Sequence, residues 1–293
     1  MSTFLLSLLL VAVTAFWGWS FVLIRQVVGT ADHPCPVLTF LALRFLVAAA
    51  LLAPFALRRT GRRLWRVGAG LGLVLAAGYF FQTEGLRYTT PTNSALITGL
   101  FVVFVPAWDR LLFRRRPRRA LLVAVGMSLT GVCLLVGHAP SSMRVGDLLT
   151  LACAVCYGLH ISLLSRFARD EAALPLTLVQ MLIVGVACGA AWPVFEPAVW
   201  PAARFWPAIL VMGVVGSALA FYIQTLVQGR LSAVSTALIL CCEPLFGALA
   251  GFLFAGDRLR PVQIGGGLLI VAAIFLDAGA STRSDGPGAD AAG

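Results

Sequence analysis

Residues 237–252 read ALILCCEPLFGALAGF. The stretch is apolar enough to lie inside a bilayer, yet it carries Glu243 with Pro244 directly behind it. A charged side chain at the centre of a membrane helix costs roughly 2.5–3.5 kcal/mol on insertion scales, so it faces the bundle interior and marks a polar task. Pro244 removes the N–H that the carbonyl of Leu240 would accept in a continuous helix, which predicts a kink beside the acid.

Composition supports a membrane setting for the whole chain. Of 293 residues, 60% are hydrophobic and 12% charged, whereas a soluble domain carries about 25% charged residues. A soluble fold of this length lacks the interior to hide so much apolar surface. The apolar residues come in runs, and about 20 of them as helix cross roughly 30 Å of hydrocarbon. The runs predict an all-α polytopic membrane protein with ten spans, at 4–28, 36–57, 67–88, 91–112, 120–137, 146–167, 174–195, 205–228, 231–254 and 261–280. The opening MSTFLLSLLLVAVTAFWGWS mimics a signal peptide, but it has no basic side chain and its apolar run continues to Val28, so it reads as a retained first span. Residues 281–293, STRSDGPGADAAG, carry too little apolar content to fold and read as a disordered cytoplasmic tail.

The net charge is +10, and all 22 basic residues are arginines. They cluster in short loops, which fits membrane topology and excludes a nucleic-acid surface. Residues 58–66 hold five and residues 114–119 another five. Placing the N-terminus in the cytoplasm puts 15 arginines inside and six outside, with Arg44 within a span. Both termini are therefore expected in the cytoplasm, with the protein in the inner (plasma) membrane. Six of the seven cysteines sit in apolar runs, and the odd count argues against a disulfide framework. Cys153 and Cys156 form a CxxC that inside an apolar helix reads as packing.

Shifted by 142 positions, the chain aligns with itself. Tyr79-Phe80-Phe81-Gln82-Thr83 meets Phe221-Tyr222-Ile223-Gln224-Thr225, and Ser94-Ala95-Leu96-Ile97 meets Thr236-Ala237-Leu238-Ile239. Five spans per unit is an odd number, so the two units, 4–137 and 146–280, are expected to insert with opposite orientation. Inverted repeats mark secondary transporters, with substrate near the midplane.

These motifs resemble a known family. Residues 243–276, EPLFGALAGFLFAGDRLRPVQIGGGLLIVAAIFL, look like the end of the second repeat in EamA-type members of the drug/metabolite transporter superfamily. Phe81-Gln-Thr-Glu-Gly-Leu-Arg-Tyr-Thr followed by Asn93-Ser-Ala-Leu-Ile-Thr resembles the third and fourth spans, Phe16-Trp-Gly-Trp-Ser-Phe the first, and Gly146-Asp147-Leu148 the entry to the sixth. The resemblance implies two five-helix repeats moving small metabolites by alternating access. One departure stands out: the family often ends its fourth and ninth spans with Gly-Glu, whereas here the copies are Arg114-Arg115 and Gly256-Asp257. No role for that acid carries over to the first half.

The polar residues within spans are the candidate substrate pathway. Glu243 lies about 12 residues, roughly 18 Å, into its span. It reads as a substrate-amine site, a proton site, half of a structural ion pair, or part of a water-bound kink. Arg44 lies about 12 Å deep from the outer face. It can pair with Glu243 or Glu84, or anchor a substrate carboxylate through its forked donors. Cys153, Cys156, Tyr157 and His160 share a face; His160 either carries protons or stays neutral in one hydrogen bond. Tyr79, Gln82 and Thr83 share a face of the third span, and Ser217, Phe221, Gln224 and Gln228 one of the eighth. Trp17, Tyr157 and Tyr222 are expected to form an aromatic wall. Gly247 and Gly251 give small-xxx-small spacing for close helix approach, and Pro106 is expected to kink the fourth span.

No P-loop, HExxH, GxSxG or metal-ligand spacing occurs, and the three histidines are scattered. Neither a cofactor, a metal nor an enzyme is expected. The reading is a secondary transporter, with export of amino acids or related amphipathic compounds foremost. Uptake of a carboxylate or sugar-like solute and drug or amine efflux are the alternatives, and an intramembrane enzyme or scaffold is a remote one. Its expected partners are a small-molecule substrate, the lipid bilayer and a coupled proton; the sequence is silent on oligomeric state.

Overall fold

The computed structural model describes residues 3–30, 34–89, 91–114, 118–136, 145–197, 199–254 and 260–284. Among them every regular element is helical. The chain runs through α1 (Thr3–Arg25), a π-helical turn (Gln26–Thr30), α2 (Val37–Ala56), α3 (Arg62–Tyr88), α4 (Pro91–Gly99), α5 (Phe101–Phe113), α6 (Arg119–Val136), α7 (Val145–Phe167) and α8 (Ala173–Phe195). It continues through α9 (Trp206–Gly213), a π-helical segment (Val214–Leu219), α10 (Ala220–Gln228), α11 (Ala233–Leu240), α12 (Glu243–Phe254) and α13 (Pro261–Ser284).

Six of the helical stretches are long and apolar enough to cross a membrane: Phe4–Gly29, Val37–Arg59, Arg62–Tyr88, Val145–Phe167, Ala173–Phe195 and Ala203–Gln228. The stretches Arg119–Leu134, Ala233–Gly247 and Pro261–Asp277 are apolar but shorter. Large apolar side chains such as Phe4, Leu111, Phe195 and Phe275 point outward, as a bundle in lipid allows. The last helix runs through Ser284, into the segment expected to be unfolded, and residues 285–293 lie outside the described residues. The Gly256-Asp257 turn also lies outside them. Its counterpart at Arg114 closes α5 in the left-handed region, at φ 54°, with its N–H on the carbonyl of Arg110.

In lipid, small residues let helices approach and pack where no hydrophobic drive exists between them. Here α3 lies against α8 through Gly68 and Gly72 and against α7 through Gly78 and Gly85. A Cβ on Gly78 would sit 2.6 Å from the Tyr157 ring. The small-residue motif of α12 works through Gly247, whose partner is Gly18 of α1: a Cβ on Gly18 would lie 2.8 Å from the nitrogen of Gly247 and 2.6 Å from the carbonyl oxygen of Glu243. At its start α2 is tied to the end of α8. Its Leu38 and Thr39 N–H groups have no helical partner and donate to Glu196 Oε2 at 2.9 and 3.3 Å.

One predicted kink turns out to be a break, and in the other span the break lies away from the proline. The helix expected to bend at Pro244 stops at Leu240, turns at Cys241 and Cys242, and restarts at Glu243. Pro244 is then the second residue of a new helix, where its missing N–H has no consequence. The fourth predicted span breaks at Leu100, between α4 and α5, whereas Pro106 lies inside α5.

Candidate functional site

A cavity of about 540 Å³, counting all space between atoms and its open mouth, lies among α1, α2, α3, α5, α7, α10 and the break between α11 and α12. Trp17, Phe21, Tyr79, Phe101, Tyr157 and Phe221 give its wall an aromatic part. Tyr79 sits at the centre, with ring centroids of Phe45, Tyr157 and Phe221 at 4.8, 5.5 and 6.0 Å in edge-on contacts, and Trp17 lies 5.3 Å from Phe221. Ile24, Leu75, Ile161 and Leu240 complete the apolar surface.

Arg44 supplies the cation, and it is the one residue of α2 that lines the cavity among the described residues. It is 1% exposed. Its Nε donates to Ser217 Oγ at 2.7 Å, and its Nη2 donates to the carbonyl of Gly216 at 3.2 Å and to Tyr79 Oη at 3.4 Å. The guanidinium also lies over the rings of Tyr79 and Phe45, at 4.8 and 5.0 Å. Its Nη1 has no hydrogen-bond partner. The Gly216 carbonyl is available because it belongs to the π-helical segment, where the α-helical hydrogen-bond register is lost. The same carbonyl accepts from Trp17 Nε1 at 2.9 Å.

Glu243 supplies the acid. It opens α12, so its carboxylate stands at the positive end of a helix dipole. It lines the cavity, is 8% exposed, and makes no ion pair or hydrogen bond among the described residues. The expected pairing of Arg44 with Glu243 or Glu84 is therefore not formed. Glu84 is held by Arg87 at 3.1 Å, one turn along α3, and stays out of the cavity. Neutral oxygens and ring faces serve Arg44 instead of a buried ion pair, whose desolvation is costly.

The amides are tethered. Gln82 Oε1 accepts from Tyr157 Oη at 3.0 Å, and Gln82 Nε2 donates to Thr98 Oγ1 at 3.4 Å. Gln224 Nε2 donates to Gln228 Oε1 at 3.0 Å, while Gln224 Oε1 is buried without a partner. His160 Nε2 lies 2.8 Å from Gln180 Oε1. The Gln180 amide donates through Nε2 to the carbonyl of Leu176 at 3.2 Å, so its oxygen accepts and His160 Nε2 carries the proton.

The structure thus gathers Trp17, Arg44, Tyr79, Gln82, Tyr157, His160, Gln224 and Glu243 around one cavity. Tyr222 does not join them; the ring facing in is that of its neighbour Phe221. Sequence reasoning missed Ser217 and the Gly216 carbonyl as partners of Arg44. The Gly216-Ser217 pair is the available signal, since such pairs commonly mark a disturbed helix. No group of three or more metal-ligating side chains occurs among the described residues.

Comparison with known proteins agrees with this architecture. The profile of the EamA-like transporter family matches twice, over residues 5–137 and 144–277. An uncharacterized transporter of Archaeoglobus fulgidus is 27% identical over 270 residues, covering 91% of this chain and 83% of that one. The aromatic amino acid exporter YddG of Ancylobacter novellus is 29% identical over 228 residues, covering 73% and 76%. A probable amino-acid metabolite efflux pump of Salmonella typhimurium is 24% identical over 287 residues, covering 93% of each. A solved crystal structure shares the fold at TM-score 0.75 and 20% identity, covering 96% of this chain and 99% of its own. The doubled match spans nearly the whole chain, and the protein belongs to the EamA-like transporter family, a transporter of the drug/metabolite type and not an enzyme.

Proposed function

We propose that the protein exports amino acids, or amphipathic compounds close to them, by alternating access of two inverted five-helix repeats. The observation that carries this reading is the pairing of unmet needs in one aromatic cavity. Arg44 offers an unpartnered N–H, and Glu243 and Gln224 offer unpartnered oxygens. An α-amino acid satisfies both, its carboxylate on Arg44 and its ammonium on Glu243. A bulky apolar side chain would then lie against Trp17, Phe101 and Phe221. The names of two relatives point the same way.

Support for the repeats comes from positions 142 apart. Tyr79 and Phe221, Gln82 and Gln224, and Phe101 and Glu243 are three such pairs, and all six residues line the cavity. A cavity at the contact of two related halves is where a rocking motion changes access. In this reading the split helices α4–α5, α9–α10 and α11–α12 each make one of ten crossings, with both termini in the cytoplasm of a bacterial inner membrane. Glu243, having no fixed cation, takes up either the substrate ammonium or a proton, which couples the two.

The test is flux of a radiolabelled amino-acid panel in proteoliposomes, wild type beside Glu243→Gln, across pH 5.5–8.5. Saturable flux that falls at least tenfold in the mutant, with its pH dependence flattened, is expected. Flux as pH-dependent in the mutant as in the wild type would remove the proton from Glu243. No flux of any amino acid, with flux of carboxylates or amines instead, would overturn the substrate class.

A further inference from the structure

The loop before α3 and the first turns of α3 carry charges that the transport cavity does not use. Arg58, Arg59, Arg62, Arg63 and Arg66 fall within nine residues. Their acidic neighbours are already engaged: Arg63 meets Asp170 at 3.1 Å and Glu171 at 3.3 Å, and Asp170 also holds Arg166 at 3.3 Å. Arg66 takes part in no ion pair or hydrogen bond among the described residues. With the ion-paired Arg63 it lines a groove between α3 and α7, of about 680 Å³ including its open side, whose apolar lining is Val67, Gly70, Leu71, Leu163 and Phe167.

Gly70 shows that the protein does not fill this groove. A Cβ added there would meet no atom within 4 Å, whereas on Gly68 it would press on Val179 at 2.6 Å. One side of α3 is therefore closed on α8 while the adjacent side is left vacant. Arg66 lies one turn nearer the helix start than Gly70, about 6 Å along the axis. This sets a guanidinium at the depth of lipid headgroups and an apolar trough below it in the hydrocarbon.

We propose that this groove binds one anionic glycerophospholipid, its phosphate on Arg66 and an acyl chain laid over Gly70 and Leu163. A soluble anion would use the arginine and leave the trough empty. A zwitterionic lipid would bring its own cation against Arg66. An anionic headgroup meets both the charge and the trough.

The test is native mass spectrometry of the purified full-length protein titrated with phosphatidylglycerol or phosphatidylcholine. Wild type is compared with Arg66→Gln, Gly70→Phe and the pair Arg58→Gln/Arg59→Gln. All four substituted residues are exposed, and circular dichroism and elution profile check that each variant is folded. One tightly held phosphatidylglycerol is expected on the wild type, with affinity about fivefold above that for phosphatidylcholine. Arg66→Gln should erase that preference, Gly70→Phe should remove the bound lipid of either kind, and the loop pair should change neither. Equal preference in wild type and Arg66→Gln overturns the proposal. So does an equal loss in the loop pair, which would mean diffuse attraction to a basic surface, and so does lipid binding indifferent to Gly70→Phe.

Discussion

The thiol of Cys241 donates to the carbonyl of Gly99 at 3.6 Å, and the two residues stand 142 positions apart. That separation is the shift that aligns the two halves of the chain, so the helix break in one half touches the helix break in the other. A break frees a carbonyl, and a residue with no side chain leaves it reachable. Just beyond the breaks, the halves differ. Phe101 follows one and Glu243 the other, and both line the cavity. The acid is present in one half only, which gives two related scaffolds an asymmetric site.

Glycine substitutions should separate the crossing from the helix contact beside it. A Cβ on Gly99 would find Pro244 Cγ at an ordinary 3.5 Å, while one on Gly18 would meet backbone of α12 at 2.6 Å. Gly99→Ala should leave the melting temperature within a degree or two of wild type. Gly18→Ala should destabilise by about 1–3 kcal/mol, because neither helix backbone can yield cheaply. Thermal unfolding in detergent compares them.

Removing the hydroxyl that holds Arg44 should harm binding more than folding. Ser217→Ala takes away the acceptor of Arg44 Nε, a buried hydrogen bond to a charged group. Such bonds contribute about 1.5–3 kcal/mol. KM for a carboxylate-bearing substrate should rise roughly tenfold or more as the guanidinium loses its fixed orientation. Ser217→Thr, which keeps a hydroxyl, should recover most of the loss.

Glu196 should act as a cap rather than as part of the pathway. Its carboxylate receives the first free N–H groups of α2, and it does not line the cavity. Glu196→Ala should lower stability by about 1 kcal/mol, the usual cost of losing a cap, and leave substrate KM unchanged. By contrast, breaking the exposed Arg63–Asp170 pair with Asp170→Asn should change stability by under about 0.5 kcal/mol, because water and salt screen it.

Much of this was legible in the sequence, and the reasons for the remainder are physical. The helices follow from apolar runs, and eight of the ten candidate pathway residues reach the cavity because a polar residue in such a run has nowhere else to go. The two exceptions obey helix geometry. Tyr222 is one residue, about 100°, off the face shared by Ser217, Phe221 and Gln224; Glu84 is two residues past Gln82, on the far side of α3. Pro244 marked one break, but its counterpart at Leu100 has no proline, and Pro106 lies inside α5. The π-helical segment at Val214–Leu219 has no periodic signature, so the carbonyl it offers to Arg44 and Trp17 emerged only in three dimensions.

The central claim is that Arg44 reads a carboxylate and Glu243 an ammonium on one substrate. Its most direct measurement uses three related solutes in proteoliposome competition: phenylalanine, phenethylamine and 3-phenylpropionate. They compete against the best amino-acid substrate of the wild type, and are tested on Arg44→Gln and Glu243→Gln as well. Wild type should prefer phenylalanine over either truncated analogue by about tenfold or more, one charged hydrogen bond's worth. Arg44→Gln should bind phenylalanine no better than phenethylamine, and Glu243→Gln no better than 3-phenylpropionate. If both variants keep the full preference for the intact amino acid, the two side chains do not recognise the substrate ends and the account is wrong.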